Sequence, residues 1–305
     1  MNKIILSIIL ALALVSCASD LSISEIEPLT PDYELPQGKS PADSRIVELY
    51  KKYGTYVLYE FPEKDFNWKL IDTSLGEPET PPVTYSYKPA DPAYAGDILD
   101  LLEKSWFRFC KDEFLKKYFH QKVFLVSALQ QGEMDEEDEY RFIDFLIETH
   151  HMVISNCSEK IRDKSDYEMR ELRISLQESL LNSWMYDKIG EAPNDFFKVS
   201  SYTSHAVDYD PDSEDFTRTR GFIFADKYGY EWSTYLMGAD FPEYSKWDMD
   251  QDLYHYIYAL ITRTSAEWAD DLTYPLVKEK YDILTKFFLE KYGLDIQAMG
   301  NADYN

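Results

Sequence analysis

Histidine is scarce in this chain. Its 305 residues include five, His120, His150, His151, His205 and His255, and no two stand four positions apart. That excludes H-E-x-x-H, the helix on which two histidines one turn apart hold zinc and the glutamate between them serves as base. Glycine is also sparse, at 11 residues. No Walker loop, dinucleotide fingerprint or G-x-S-x-G elbow occurs, so glycine-built phosphate cradles and hydrolase nucleophile turns are excluded. Three cysteines are too few for a disulfide framework. Basic residues number 31 against 56 acidic ones, a net charge of −25. Such a surface repels phosphate, which excludes nucleic acid as a partner and disfavours binding to anionic lipid through protein charge.

Apolar and aromatic mass is plentiful. Apolar residues make up 45% of the chain, and 6 Trp, 25 Tyr and 17 Phe make up 16%. A chain of this length and composition buries a substantial core, as one large domain or two ordinary ones. The aromatic excess serves that core or a stacking surface, and composition does not separate the two.

The N-terminus opens on Lys3 and an apolar run over 4–15 broken only by Ser7. That run falls short of the roughly 20 residues of a spanning helix and matches the hydrophobic region of a secretory signal. Leu14-Val15-Ser16-Cys17 follows and resembles the lipobox of bacterial lipoproteins. The resemblance implies cleavage before Cys17, lipidation of its sulfur and, with Ala18 rather than Asp next, sorting to the outer membrane. Several acyl chains on one residue anchor stably, and no later apolar run is long enough to span a bilayer. The expected layout is a signal peptide over 1–16, then Cys17 and a flexible tether to residue 42 containing Pro28, Pro31, Pro36 and Pro41, then one domain over 43–305. In that oxidising compartment Cys110 and Cys157 could pair, although spacing alone does not decide it.

Periodicity outlines the body. Asp43 is placed to cap a helix carrying Ile46, Val47, Leu49, Tyr50 and Tyr53 and ending at Gly54. Residues 55–61 read as a strand, the proline-rich 75–94 as a loop, and 97–119 as a long helix burying Ile98, Leu101, Leu102, Trp106, Phe109, Phe114 and Leu115. Strands are expected at 123–126 and 152–154, an acidic solvated turn at 135–138, and helices over 165–188, 247–264 and 274–292. No repeat period shows. The fold class expected is α+β, mostly helical, with a small mixed sheet.

Three groups of residues are candidates for chemistry. His150 and His151 are adjacent and face opposite sides of a strand; a divergent ligand set such as His150, His205 and Asp208 is how a metal would be retained. Asp208, Asp210 and Asp212 have the alternate spacing of a calcium loop, but Ser213 replaces its glycine, Thr219 its glutamate, and Pro211 stiffens the turn. The EF-hand reading fails and calcium is not expected. Tyr230, Trp232 and Trp247 lie in the tyrosine-rich stretch 202–247 and could offer flat apolar faces to a ligand, with core packing as the competing role.

The C-terminal segments Leu253-Tyr254-His255-Tyr256-Ile257-Tyr258-Ala259-Leu260, Glu267-Trp268, Tyr281-Asp282-Ile283-Leu284 and Lys291-Tyr292-Gly293-Leu294-Asp295-Ile296 resemble the tail of a Bacteroidetes lipoprotein family. Its members are described as proposed zinc-binding metallopeptidases encoded beside outer-membrane nutrient importers of the starch-utilisation type. Residues 46–61 and 123–126 extend the resemblance, as does Pro193-Asn194-Asp195-Phe196-Phe197, which stands where the family has Pro-x-Glu-Phe after its metal helix. The resemblance implies a metallopeptidase-like (zincin-like) body over roughly 43–300 with the zinc helix before Pro193. The best match there is Gln177-Glu178-Ser179-Leu180-Leu181, in which only Glu178 remains. Leu181 cannot ligate zinc, and neither can Trp184 further along the same face. Without a metal-bound water Glu178 has no proton to abstract. The competing role is a core helix with Leu172, Leu176, Leu180 and Trp184 inward.

The expectation is therefore a lipid-anchored outer-membrane protein, metallopeptidase-like but without a zinc site or other cofactor. Its work would be ligand binding or nutrient-import assembly, with importer components or a glycan or peptide as partner. The alternatives are an active metal-dependent peptidase with divergent ligands and a glycan-binding lipoprotein with an aromatic platform.

Overall fold

Strand β3 (Lys122–Gln131) organises the sheet because Val123, Phe124, Leu125 and Val126 are all fully buried. A strand apolar on both faces suits parallel neighbours with helices covering the sheet. β1 (Tyr56–Leu58) and β6 (His151–Ile154) run parallel to β3 on either side, and the row Val57–Val123–Met152 crosses all three inside the core. β5 (Phe145–Ile147) pairs antiparallel with β6. The far half of β3 takes two antiparallel partners, β2 (Tyr85–Pro89) and β4 (Arg141–Phe142). Among the described residues the sheet is thus six-stranded and mixed. This computed structural model describes residues 33–66, 85–131, 141–148, 151–183, 193–204, 207–208, 210–223 and 236–302. Leu35–Asn305 forms one unit.

Helices supply most of the remainder. α1 (Asp43–Tyr53) packs on β1; α2 (Glu63–Phe66) follows it. α3 (Ala95–Ser105) packs on α6 (Asp166–Ser183), and α6 on α7 (Ser245–Thr262). Two short helices, α4 (Asp112–Tyr118) and α5 (Lys160–Asp163), precede α6. α8 (Pro275–Phe287) opens on a proline, where the missing N–H has no helical partner to lose. It runs into a π-turn, Phe288–Tyr292, closed by Gly293 at φ 66°, and α9 (Ile296–Gly300) then packs on α7. One core joins these elements through Ile46, Leu102, Trp106, Leu125, Leu176, Tyr256, Trp268 and Leu284. The architecture is α+β, as expected.

Several boundaries differ from the sequence reading. The single helix over 97–119 is three pieces: α3, a 3-10 turn Phe107–Phe109, and α4. Trp106 leaves the helical region at φ −135° and ψ −61°, and Cys110 is extended. In one straight helix Trp106, Phe107 and Phe109 would point to three different faces. The break lets Trp106 and Phe107 both enter the core. The expected loop over 75–94 contains β2, with Pro89 at its last position where the register shifts; a proline is tolerated at such an irregular strand end.

The strand expected over 55–61 is confined to β1, whereas that at 123–126 extends into all of β3. Asp43 is not the cap of α1, which Ala42 occupies. Its carboxylate instead accepts from the Gly38 N–H at 2.8 Å and the Tyr59 hydroxyl at 2.9 Å, tying the approach turn to the end of β1. Cys110 and Cys157 are both free thiols. Burial pushes the Cys110 thiol up and the Cys157 thiol up to about 12, the latter with help from Asp91 and Asp97. The signal, the tether as far as residue 32 and the acidic run at 135–138 lie outside the described residues, whereas the last part of the expected tether joins the body: Leu35 packs against the core, Gln37 donates to the Glu60 carbonyl at 2.6 Å and Ala42 is buried.

Candidate functional site

α6 holds the residues matched to the zinc motif. Two adjacent stripes, Leu172–Leu176–Leu180 and Arg173–Gln177–Leu181, are buried along it. Each stripe repeats every four residues, so both stay on one side of the helix. Gln177 Nε2 donates at 2.7 Å to the Ser105 carbonyl at the end of α3, a carbonyl that its own helix leaves without a partner. Leu181 is fully enclosed by the core. A zinc ion does not fit this face. One of the two positions is an amide committed to a helix end, and the other is an alkyl group without a lone pair.

Glu178 lies beside this face, half-buried, and accepts a short hydrogen bond from the Tyr254 hydroxyl of α7. Burial raises its carboxyl above the usual range, and the phenol's hydrogen bond partly opposes that. Tyr254 also stacks on Tyr258, with ring centroids 6.2 Å apart. The contact braces α6 against α7. Trp184 lies outside the described residues.

Three of the five histidines are described, and each has its own local role. His151 is buried in β6 with its ring 5.3 Å from that of Phe124, and His120 contacts the Glu148 carbonyl at 2.9 Å. His255 is buried on α7, where desolvation lowers its pKa to about 4. His150 and His205 lie outside the described residues. Asp208 and Asp210 accept from the backbone N–H groups of Asp210 and Asp212, each at 3.0 Å, so these carboxylates shape their own turn. Among the described residues no group of three or more His, Cys, Asp or Glu stands close enough to hold a metal ion.

The strongest polar cluster was not foreseen. Lys280 of α8 is completely buried, and its ammonium lies 2.6 Å from Asp252 Oδ2 of α7. The Tyr202 hydroxyl donates to that same oxygen at 2.7 Å. Rings of Phe196, Tyr202, Phe222 and Tyr256 surround the ammonium at 4.4–5.6 Å, the geometry of cation–π attraction. Burial lowers the Lys280 pKa and raises that of Asp252, while their pairing opposes both shifts. One turn earlier, Asp248 accepts from the Met237 and Gly238 N–H groups at 3.1 and 2.6 Å. A Cβ at position 238 would lie 2.6 Å from the Tyr202 carbonyl, so that approach requires glycine. A second buried pair, Arg263–Asp271 at 2.9 Å, is joined by Arg218. These groups are matched and enclosed, and they fix α7 and α8 to the segments around residues 196–223.

A sequence signal did mark Lys280 and Asp252. Lys280 shares a face of α8 with Val277 and Leu284, and Asp252 shares one of α7 with Tyr256 and Ala259; all are buried. A charge on an apolar stripe needs a buried partner.

Of the three candidate platform residues, Trp247 is described; Tyr230 and Trp232 lie outside the described residues. Trp247 is 47% exposed in the first turn of α7, Tyr244 before it is 44% exposed, and Phe241 is 53% exposed. The Phe241 and Tyr244 rings meet edge to face at 6.2 Å. Phe241 escaped the sequence reading, which weighed only tryptophan and tyrosine as platform residues.

No family model matches the chain, and no curated protein matches it. Among solved structures, a crystal structure described as a "putative zinc-binding metallo-peptidase" from Bacteroides caccae aligns over 85% of this chain and 88% of its own, at 11% identity and a TM-score of 0.45. At that score the likeness carries no argument about activity. The described residues define a helix-rich α+β protein with a small mixed sheet and a helix α6 turned into the core.

Proposed function

We propose that this chain is a lipid-anchored outer-membrane protein with a metallopeptidase-like body, serving ligand binding or nutrient-import assembly without zinc-dependent hydrolysis. One observation carries the non-catalytic reading: Gln177 is bonded to the Ser105 carbonyl and Leu181 is enclosed in the core. A zinc peptidase of the H-E-x-x-H type needs both positions as metal ligands, with an open coordination site for the attacking water. Glu178 remains from the motif, but without a metal-bound water it has no proton to take, and its Oε1 accepts from the Tyr254 hydroxyl. Anchoring rests on the apolar leader and the Leu14-Val15-Ser16-Cys17 motif, and the acidic charge leaves acyl chains as the means of holding a membrane.

Incubation with unfolded casein and added zinc tests the reading. No zinc-dependent cleavage is expected from the wild type, and Glu178→Gln is expected to match it. Cleavage that needs zinc and disappears in Glu178→Gln would restore the hydrolase.

A further inference from the structure

Beyond the function proposed above, we infer that Lys280 and Asp252 are a site of intramolecular amide formation, in which a bond from Nζ to Cγ joins α8 to α7 and water is released. The Lys280 nitrogen lies 2.6 Å from Asp252 Oδ2, with none of the lysine side chain and 4% of the aspartate side chain exposed. Each residue projects from a long helix, of 18 residues in α7 and 13 in α8, so the two groups meet without any loop having to close. The lysine–carboxylate pairs Lys39–Glu60, Lys52–Asp112, Lys246–Asp250 and Lys278–Asp282 differ, since their ammonium groups are half or more in water. A hydrated ammonium has no lone pair to offer an acyl carbon. The buried pair Arg263–Asp271 is excluded by its guanidinium, which stays protonated.

Around Lys280 the surroundings favour the reaction. Burial lowers its pKa and raises that of Asp252, because a dry site penalises both charged forms. A proton passing from Nζ to Oδ2 along their hydrogen bond gives an amine and a carboxylic acid. Cγ stands one bond beyond Oδ2, so little motion brings Nζ to the near-attack range of about 3–3.5 Å. The nitrogen lone pair then forms the C–N bond. Oδ2 takes a second proton from that nitrogen and leaves as water, and one hydrogen remains on the amide. The Tyr202 hydroxyl donates to Oδ2 at 2.7 Å, where negative charge develops before the C–O bond breaks. Burial and the nearby Asp252 raise the Tyr202 pKa, so it keeps its own proton throughout.

Phe196, Tyr202, Phe222 and Tyr256 act in two directions. Their faces stabilise the ammonium, so freshly folded protein holds the ion pair and the amide accumulates slowly. Once it has formed, the same rings keep water from its carbonyl and the core holds no charge at this point. The bond would tie two C-terminal helices together in a protein whose Cys110 and Cys157 are both free thiols.

The test uses the full-length lipoprotein in neutral detergent, kept at growth temperature for days, with samples denatured, digested with trypsin and analysed by mass spectrometry. A branched peptide is expected to accumulate, joining Trp247–Arg263 to Glu279–Lys286 and lighter by one water than their sum, because an acylated Lys280 is no longer a cleavage site. Lys280→Met is expected to abolish it. Tyr202→Phe keeps the ring and removes the donor, and is expected to slow its formation about 100-fold. Wild-type protein that after this incubation yields only separate peptides, with cleavage after Lys280 complete, would overturn the inference. So would a bond from Lys280 to a residue other than Asp252, or linkage in Tyr202→Phe at the wild-type rate.

Discussion

Asp252→Ala is expected to destabilise the protein by about 3–5 kcal/mol, the cost of leaving a buried charge without its partner. Lys280 is completely buried, with its ammonium 2.6 Å from Asp252. Four aromatic rings stabilise that ammonium but none of them neutralises it. With Asp252 removed, Lys280 must lose its proton, since desolvation already lowers its pKa, or draw water into the core. Tyr202 would lose its acceptor in the same step. The double variant Asp252→Leu/Lys280→Met removes both charges with similar volumes, and it should recover most of the loss, because well-packed apolar substitutes for buried ion pairs are often neutral or stabilising. Urea denaturation of the two variants measures the difference. A wild-type midpoint for Asp252→Ala would mean that Lys280 reaches solvent.

Cys17→Ala is expected to move the protein almost wholly from the membrane fraction to the soluble fraction. Acyl chains bind bilayers at about 0.8 kcal/mol per buried CH2, so losing them removes the affinity rather than trimming it. Among the described residues no helix is long and apolar enough to cross a membrane, and the protein's charge opposes anionic lipid. Fractionation followed by labelling with a radioactive fatty acid checks both parts. A Cys17→Ala chain that still pelleted with membranes, unlabelled, would remove the lipid anchor from the account.

The elements legible in the sequence were those in which one periodicity ran uninterrupted. α1, α6, α7 and α8 all stand within a few residues of their expected places, because their apolar stripes recur every three to four positions. β3 and β6 were legible as short β-branched and apolar runs. Trp106 is buried as expected, but the helix breaks there: its neighbours continue a helical pattern, and packing of two adjacent aromatics into one core outweighs helical continuity. β2 was missed because prolines around it signal a loop, and only pairing with the far half of β3 makes it a strand. At the site, residue chemistry alone says that Gln177 and Leu181 are no pair of zinc ligands, while the destinations of their side chains, the Ser105 carbonyl and the core, appear only in the structure. The Lys280–Asp252 pair was not read, since Lys280 sits between Glu279 and Tyr281 in a segment that looks like a solvated face. Its buried stripe gave the clue, but the partner 28 residues away appears only in three dimensions.

The central claim is that α6 holds no metal and the fold needs none. It is tested most directly by measuring zinc in protein purified without chelator, together with its melting curve before and after EDTA. The account predicts far less than one zinc per chain and an unchanged melt, because an ion bound only to the native state would add its binding free energy to stability and EDTA would remove it. Stoichiometric zinc with an EDTA-sensitive melt would contradict the account and direct attention to His150, His151, His205 and Asp208 as ligands gathered from distant parts of the chain.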